Sequence, residues 1–375
     1  MRIGIVGAGP AGLYFALLMK KLNPAWPIEL VEQNSTNNTY GWGVVFSGRA
    51  LSFLEASDPD SYQDIKNRLE TWDKLVIVHK GQPVPIDGSH FSGISRIDLL
   101  QILQRHCQRR GVHIQFETHL TDLEHFADCS LIVGADGVNS MVRQKYSETF
   151  QPSLELRSNK YIWYGTSQLF DALSLIFAEN QHGIFVGHAY RYNSTNSTFI
   201  AECDAMTWEK AGLVAMSEEE SRAYCEEVFK EDLNGHPLLS NKSMWLNFAV
   251  VSNRRWHHQN VVLIGDALRT VHFSIGSGTR TALEDAIALS KAFEVHGEDV
   301  QTALQAFEKS RKPPGGQLLD VAQKSLIWYE NLRNVMQLEP LPFAYDYMTR
   351  GGRVDHETLK QRAPRFIAAY ETLRR

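Results

Sequence analysis

Apolar side chains along this chain fall into three patterns, and each predicts a different kind of element. Short runs without alternation predict strands buried on both faces: Ile3-Gly4-Ile5-Val6, Ile28-Glu29-Leu30-Val31, Leu131-Ile132-Val133 and Val261-Val262-Leu263-Ile264. Stretches with helical character follow glycine-rich breaks, at Leu13 to Lys20 and at Thr281 to Leu289. Strand-forming segments dominate from about Tyr161 to Val251, and alternation there places Ile184, Val186, His188 and Tyr190 on one face. The combination predicts an α/β chain: a Rossmann-like domain with an inserted antiparallel β-sheet lobe and C-terminal helices. The first domain is expected over residues 1–71, 92–155 and 253–312, the lobe over 72–91 and 156–252, and the helical segment over 313–375.

Polar and special residues punctuate these patterns. Ser95 is placed to cap a helix starting at Arg96, with Asp98 three residues on, and Ser217 with Glu220 forms a capping box for a helix reaching Phe229. Leu75–His79 and Val84–Ile86 predict a hairpin whose second arm, carrying Pro83 and Pro85, belongs at a sheet edge. Lys312-Pro313-Pro314-Gly315-Gly316 predicts a helix break. The late aromatics Trp328, Tyr329, Phe343, Tyr345 and Tyr347 are expected in packing.

Composition narrows the classes of function. With 375 residues and a net charge of −5, nothing in the overall balance calls for nucleic acid or an anionic membrane. Cys107, Cys129, Cys203 and Cys225 are far apart and form no CxxC pair, so no metal site is expected. No stretch is apolar for long enough to span a bilayer. The opening Met-Arg-Ile-Gly-Ile-Val fits a nucleotide-binding strand better than a signal core, and the chain is expected in the cytoplasm. The oligomeric state is left open.

The chemistry lies in the turns that end the buried runs. Gly7, Gly9, Pro10, Ala11 and Gly12 form a Gly-x-Gly-x-x-Gly turn between strand and helix. Gly7 allows the tight turn, Gly9 a close phosphate, and Gly12 close packing of helix on strand. The helix N-terminus adds free N–H groups and a positive dipole end. Glu32 closes the second strand, at the spacing where a carboxylate reaches ribose hydroxyls. Small and aromatic residues from Tyr40 to Ser47, among them Trp42, Gly43 and Val44, suit either a flat ring system or a buried strand with a core tryptophan. Arg96 stands in a first helical turn, where dipole logic disfavours a cation unless an anion or sugar lies nearby. Asp136-Gly137 and Gly265-Asp266 are two further glycine-acid turns, and Gly276-Ser277-Gly278-Thr279 opens a helix with free amides.

In this order the three glycine-acid turns resemble those of the flavin-dependent aromatic hydroxylases with the para-hydroxybenzoate hydroxylase fold, over essentially the whole chain. The resemblance implies FAD as cofactor and NAD(P)H as reductant. Gly7 to Gly12 would hold the ADP half, Glu32 the ribose, Asp136 and Gly137 the flavin and nicotinamide access, and Asp266 the ribityl chain. It also assigns Arg96 to the ribityl and phosphate region. Tyr40–Ser47, Asn253–His258, His272–Gly278 and Met348–Val354 look like the monooxygenase part of salicylyl-CoA and 2-aminobenzoyl-CoA hydroxylases. Asn159–Asp171 and Gly265–Leu268 look like the violacein-pathway indole hydroxylase. The chain departs from these patterns at Arg269, where the aryl-CoA enzymes have His, and at Phe273 and Arg280, where the broader family has Pro and Asn. The flavin reductase-like domain of the aryl-CoA enzymes is not expected within 375 residues.

The implied activity is hydroxylation of an electron-rich aromatic ring by O₂ through a C4a-hydroperoxyflavin, so the cofactor carries the hard chemistry. The protein must hold the small-molecule substrate, exclude water and steer charge. Expected pocket residues are Trp42, Tyr164, His188, Tyr190, His272 and Phe273, with His188 or His272 as the base. An indole, tryptophan-derived or other secondary-metabolite substrate is expected ahead of an aryl-CoA thioester. A non-catalytic flavin-binding protein is the alternative from another class.

Overall fold

The computed structural model describes residues 1–47 and 51–373. Ile3–Val6 is the centre of a six-stranded sheet, paired in parallel with Ile28–Val31 on one side and Leu131–Gly134 on the other. Val261–Leu263 extends the sheet beyond Leu131–Gly134 and His113–Gln115 beyond Ile28–Val31, both in parallel. All four residues of the first strand are buried, as a run without alternation requires. Helices Pro10–Leu22 and Gly278–His296 pack together on this sheet, with Leu13, Phe15, Leu17, Leu283 and Leu289 fully buried between the layers.

Both of those helices begin earlier than apolar periodicity suggests. The first starts at Pro10, whose fixed φ suits a first turn and whose missing N–H costs nothing there, so Gly12 is helical. The caps lie where the polar signals put them: Ser95 Oγ accepts the Asp98 N–H, and Ser217 with Glu220 makes both capping-box bonds.

The second lobe is an eight-stranded sheet built on Pro152–Thr166, Leu173–Asn180, Gly183–Arg191, Ser197–Cys203 and Leu246–Asn253, paired antiparallel. It is not antiparallel throughout. The hairpin Leu75–His79/Gln82–Ile86 joins at the edge, and its first arm runs parallel to Leu173–Asn180 because it arrives from the other domain. One face of the lobe packs on Glu218–Val228 through Ile162, Phe185, Phe199 and Cys225. The opposite face carries Leu175, Phe177, Val186 and His188 towards the C-terminal helices, among them Pro340–Thr349 and Pro364–Leu373. A small sheet of Gly43–Ser47, Phe91–Ser95 and Glu70–Trp72 lies between the lobes.

The expected break at Pro313-Pro314 does not occur: Val300–Glu330 is one helix running through both prolines. Two lost backbone bonds and the ring clashes cost on the order of 3 kcal/mol each in isolation. Contacts around the prolines hold the axis. Arg311 pairs with Glu284 and Asp285 at 3.1 Å, and Lys312 reaches Glu308 and the Arg254 carbonyl at 2.7 Å. Gly315 lies against the Arg269 guanidinium. Ala303, Leu304 and Phe307 belong to the parallel-sheet core and Tyr329 to the lobe core, so the helix clamps both.

Candidate active site

The glycine-turn end of the parallel sheet is shaped by backbone contact. Gly7 has φ +102°, and a Cβ there would strike the Ala135 carbonyl. A Cβ on Gly12 would drive into the Gly7 carbonyl oxygen. Both positions are therefore closed to side chains by the protein itself. Gly9 differs: no protein atom lies within 4 Å of a Cβ built there, and it begins the helix with no side-chain cap. Open space in front of uncapped helix N–H groups fits a phosphate. Glu32 Oε2 reaches back to accept the Ala8 N–H at 2.8 Å, so the acid lies over the glycine turn.

Arg96 links this end to the next. Its Nε donates to Thr39 Oγ1 at 2.9 Å and its backbone N–H to the Trp42 carbonyl. Desolvation lowers its pKa, while the nearby carboxylates of Asp266 and Glu32 oppose the shift. Asp266 is exposed between buried Gly265 and Ala267, so its side chain projects into open space. The surrounding protein pushes its carboxyl upward and the Arg96 charge works against that. Asp136 accepts the Val142 N–H at 3.2 Å, and its other oxygen is buried with no partner among the described residues. An orphaned acceptor beside Gly137 (φ +76°) fits a cofactor donor.

Gly276, at φ +59°, brings the Gly276–Thr279 loop against Val45 of the Gly43–Ser47 strand; a Cβ on it would sit 3.1 Å from Val45 Cγ1. That strand is tied to the lobe. Gly43 N–H donates to Thr198 Oγ1 at 2.9 Å, and the Tyr190 hydroxyl donates to the Gly43 carbonyl at 2.8 Å. Val44 pairs with Ile94. Trp42 packs on Gly165, with its indole N–H unpartnered among the described residues. Gly43 thus spends its polar groups on protein, and a Cβ on it would strike the Tyr192 side chain.

Beyond this strand lies a chamber walled by aromatic rings. Phe273 stacks on His272 with centroids 4.3 Å apart and meets Tyr161 at 5.0 Å and His188 at 5.3 Å. Asn159, Tyr161, Glu202, Phe248, His272 and Phe273 line the cavity, together with Arg157, Lys160, Leu326 and Glu330. Glu202, fully buried, accepts the Asn159 amide N–H at 2.9 Å and bonds His188 Nε2 at 3.0 Å. Burial pushes its carboxyl up, but His188 and Asn159 outweigh that and hold it below the ordinary range. Burial lowers His272 to about 4, with the Glu202 charge opposing and that of His188 assisting.

Of the residues expected in the pocket, His272 and Phe273 line the chamber. His188 lies directly behind Glu202, and Tyr190 props the strand beside it. Tyr164 faces the other way. Register pairs it with Phe199, and strand alternation sends its ring into the core beneath Glu218–Val228, away from the chamber. Sequence reasoning missed Glu202, although the one charged residue of the buried strand Ser197–Cys203, ending the alternating run Thr198, Ile200, Glu202, marks that face. Tyr329 packs in the lobe core as expected, and its ring also meets both His188 and His272.

An open, uncapped glycine turn with Glu32 over it, two further glycine-acid turns and an aromatic chamber across the Gly43–Ser47 strand are the arrangement expected of a flavoprotein of the two-lobed monooxygenase class. Comparison with known proteins gives the same answer. Residues 1–322 match the family model described as an FAD binding domain. The chain belongs to that family and is an FAD-dependent aromatic monooxygenase that uses NAD(P)H as reductant. It is 39% identical over 358 residues to protodeoxyviolaceinate monooxygenase of Chromobacterium violaceum, covering 93% of this chain and 94% of that one. Salicyloyl-CoA 5-hydroxylase of a Streptomyces species is 36% identical over 360 residues, covering 93% of this chain and 70% of that one. Among solved structures, a single-site mutant of 2-methyl-3-hydroxypyridine-5-carboxylic acid oxygenase superposes with a TM-score of 0.71 at 18% identity, over 96% of this chain and 98% of that one. No helix among the described residues is long and apolar enough to cross a membrane.

Proposed function

We propose that this enzyme hydroxylates a small, electron-rich aromatic ring bearing an N–H or O–H group, of the indole, tryptophan-derived or other secondary-metabolite kind. FAD would be held by Gly7, Gly9, Pro10, Ala11 and Gly12 at the pyrophosphate, Glu32 at the ribose, and Arg96, Asp136, Gly137, Gly265 and Asp266 along the chain. Trp42, Gly43, Val44 and Gly276, Ser277, Gly278 and Thr279 would lie beside its ring. When bound, FAD takes reducing equivalents from NAD(P)H and activates O₂ for transfer of one oxygen atom. This chain's residues orient the substrate between Phe273 and the sheet, exclude water with aromatic walls, and meet the ring's proton where Glu202, His188 and His272 converge.

The observation that carries this reading is the buried Glu202–His188 pair set among the rings of Phe273, Tyr161 and Tyr329. A buried carboxylate held by an imidazole inside an aromatic chamber suits a substrate whose polar hydrogen needs an acceptor and whose body needs apolar walls. An aryl-CoA thioester is the second reading, favoured by Lys160 on the same cavity, where a phosphate-bearing handle would find a cation; Arg157 beside it is already paired with Glu155 and Glu330.

A ligand screen following NAD(P)H consumption by the FAD-loaded enzyme tests both. Indole and tryptophan derivatives are expected to stimulate consumption and give a product heavier by one oxygen. Stimulation by salicylyl-CoA or 2-aminobenzoyl-CoA alone selects the second reading. Slow consumption indifferent to every aromatic contradicts both.

A further inference from the structure

Of the titratable groups that line the chamber, Glu202 and His272 are the deeply buried ones, while Arg157, Lys160 and Glu330 are only half-buried; Glu202 and His272 are each held by a separate set of partners. Glu202 receives one donor on each oxygen, Asn159 Nδ2 on Oε1 and His188 Nε2 on Oε2. Each carboxylate oxygen has a second acceptor site. His188 is turned to serve Glu202, and that bond occupies its Nε2.

His272 is fixed in the opposite sense. The Ser274 backbone N–H donates to His272 Nδ1 at 3.3 Å, and Ser274 Oγ lies 2.8 Å from the same atom. Ser274 Oγ is in turn 2.8 Å from Ser325 Oγ, which accepts Arg350 Nε–H at 2.9 Å. The Ser274 backbone N–H can only donate, so Nδ1 is an acceptor; Ser274 Oγ–H then donates to Nδ1 and accepts from Ser325, whose oxygen also takes the Arg350 Nε–H. The imidazole proton is thereby left on Nε2. Arg350 is itself anchored, its ring-stacked guanidinium 3.7 Å from the Tyr347 centroid and bonded to the Ser274 and Tyr347 carbonyls.

Resting on the ring-hydroxylation reading above, we propose that Glu202 is the anionic acceptor for the substrate's N–H or O–H. Asn159 and His188 act as its positioning residues, while His272 faces the substrate as a hydrogen-bond donor whose tautomer Ser274, Ser325 and Arg350 fix. This moves the acceptor role from either histidine to the carboxylate. A charge-assisted bond from the ring's N–H or O–H to Glu202 pushes electron density into the ring that is to be oxygenated. If the proton transfers, it passes to Glu202 and returns to the product or to solvent, with no other co-reactant. The same anion disfavours a ring whose free carboxylate would enter at that depth.

Two measurements on the FAD-loaded protein test this. The first needs no substrate. Infrared difference spectra against Glu202→Gln are expected to lose a carboxylate band, not a carboxylic acid band, across neutral pH. ¹⁵N-histidine NMR is expected to show His272, assigned through His272→Gln, protonated at Nε2, with its Nδ1 signal displaced in Ser274→Ala. A protonated Glu202, a proton on Nδ1 of His272, or an unmoved signal in Ser274→Ala overturns the assignment. The second uses indole and its isostere benzofuran, which lacks the N–H, as probes of the flavin absorption spectrum. Indole is expected to bind at least about tenfold tighter, and Glu202→Gln to erase the difference. Equal binding of the two by the unaltered enzyme overturns the proposal. If neither ring perturbs the flavin, the ring-site reading falls and the first measurement alone judges the charge assignment.

Discussion

The cofactor end and the ring chamber of this enzyme are built in different ways. At the proposed cofactor end, the binding role falls to backbone: the turns at Gly7–Gly12, Asp136–Gly137 and Gly265–Asp266 follow adjacent parallel strands, and three of their glycines have positive φ. In the chamber it is carried by side chains from elements far apart in sequence, with Asn159, Glu202, His272, Ser325 and Arg350 joined into two short hydrogen-bond sets. Backbone sites depend on what a residue lacks, and side-chain sites on what it carries. Substitutions at the two ends are therefore expected to fail in different ways.

The sharpest contrast lies inside the first turn. Gly12→Ala meets the Gly7 carbonyl with nowhere to move, and is expected to lower FAD affinity by about a hundredfold or more, roughly 2.7 kcal/mol, with a clear loss of Tm. Gly9→Ala meets no protein atom, so the apoprotein is expected to melt as the parent does while FAD fluorescence titration reports weaker binding. Equal melting losses in both would break the distinction between protein-facing and cofactor-facing glycines.

Beneath the third turn, fully buried Asp285 accepts from Arg269 at 2.7 Å, from Arg311 at 3.1 Å and from the Gly265 N–H at 3.3 Å. Asp285→Ala strands a buried guanidinium, and a loss of roughly 3–5 kcal/mol is expected in denaturant unfolding. A loss under about 1 kcal/mol would show that the turn is not held from below.

The chamber should answer to pH where the cofactor end does not depend on a histidine. Folded His272 titrates near 4 and its unfolded counterpart near 6.5, so the unfolded chain binds the proton that the folded one refuses. Stability is thus present above about 6.5 and drains as pH falls towards about 4. His272→Gln is expected to flatten that part of the Tm–pH curve; an unchanged slope would contradict the burial of a neutral imidazole. The smallest effect belongs to Tyr164→Phe. Its hydroxyl is buried without a partner among the described residues, on the face away from the chamber, so coupling of NAD(P)H use to hydroxylation is expected unchanged and Tm level or slightly raised. A fall in coupling would return Tyr164 to the site.

The same contrast explains what the sequence discloses. The turns of the cofactor end are legible because strand, glycine and acid lie within a few residues of one another, and local steric rules dictate them. Capping at Ser95 and Ser217 is legible for the same reason. Alternation gives the face of His188; the same rule along Pro152–Thr166, two strands away, separates Tyr161 and Trp163 from Tyr164 and corrects the expectation that Tyr164 joins the pocket. What alternation cannot supply is the partner across the sheet. Glu202 and His188 are 14 residues apart, Ser274 and Ser325 51, and the Arg350–Ser274 contact spans 76. The Pro313-Pro314 helix misleads for the opposite reason, because local propensity yields there to two packed cores and an ion-pair network.

One measurement bears on the whole account: a crystal structure of the FAD complex. The pyrophosphate is predicted at Gly9, the ribose at Glu32, and the isoalloxazine between the Gly43–Ser47 strand and the Gly276–Thr279 loop, with one edge towards Phe273 and Glu202. An isoalloxazine turned away from that chamber, or FAD bound without contact to Gly9 and Asp266, would contradict it.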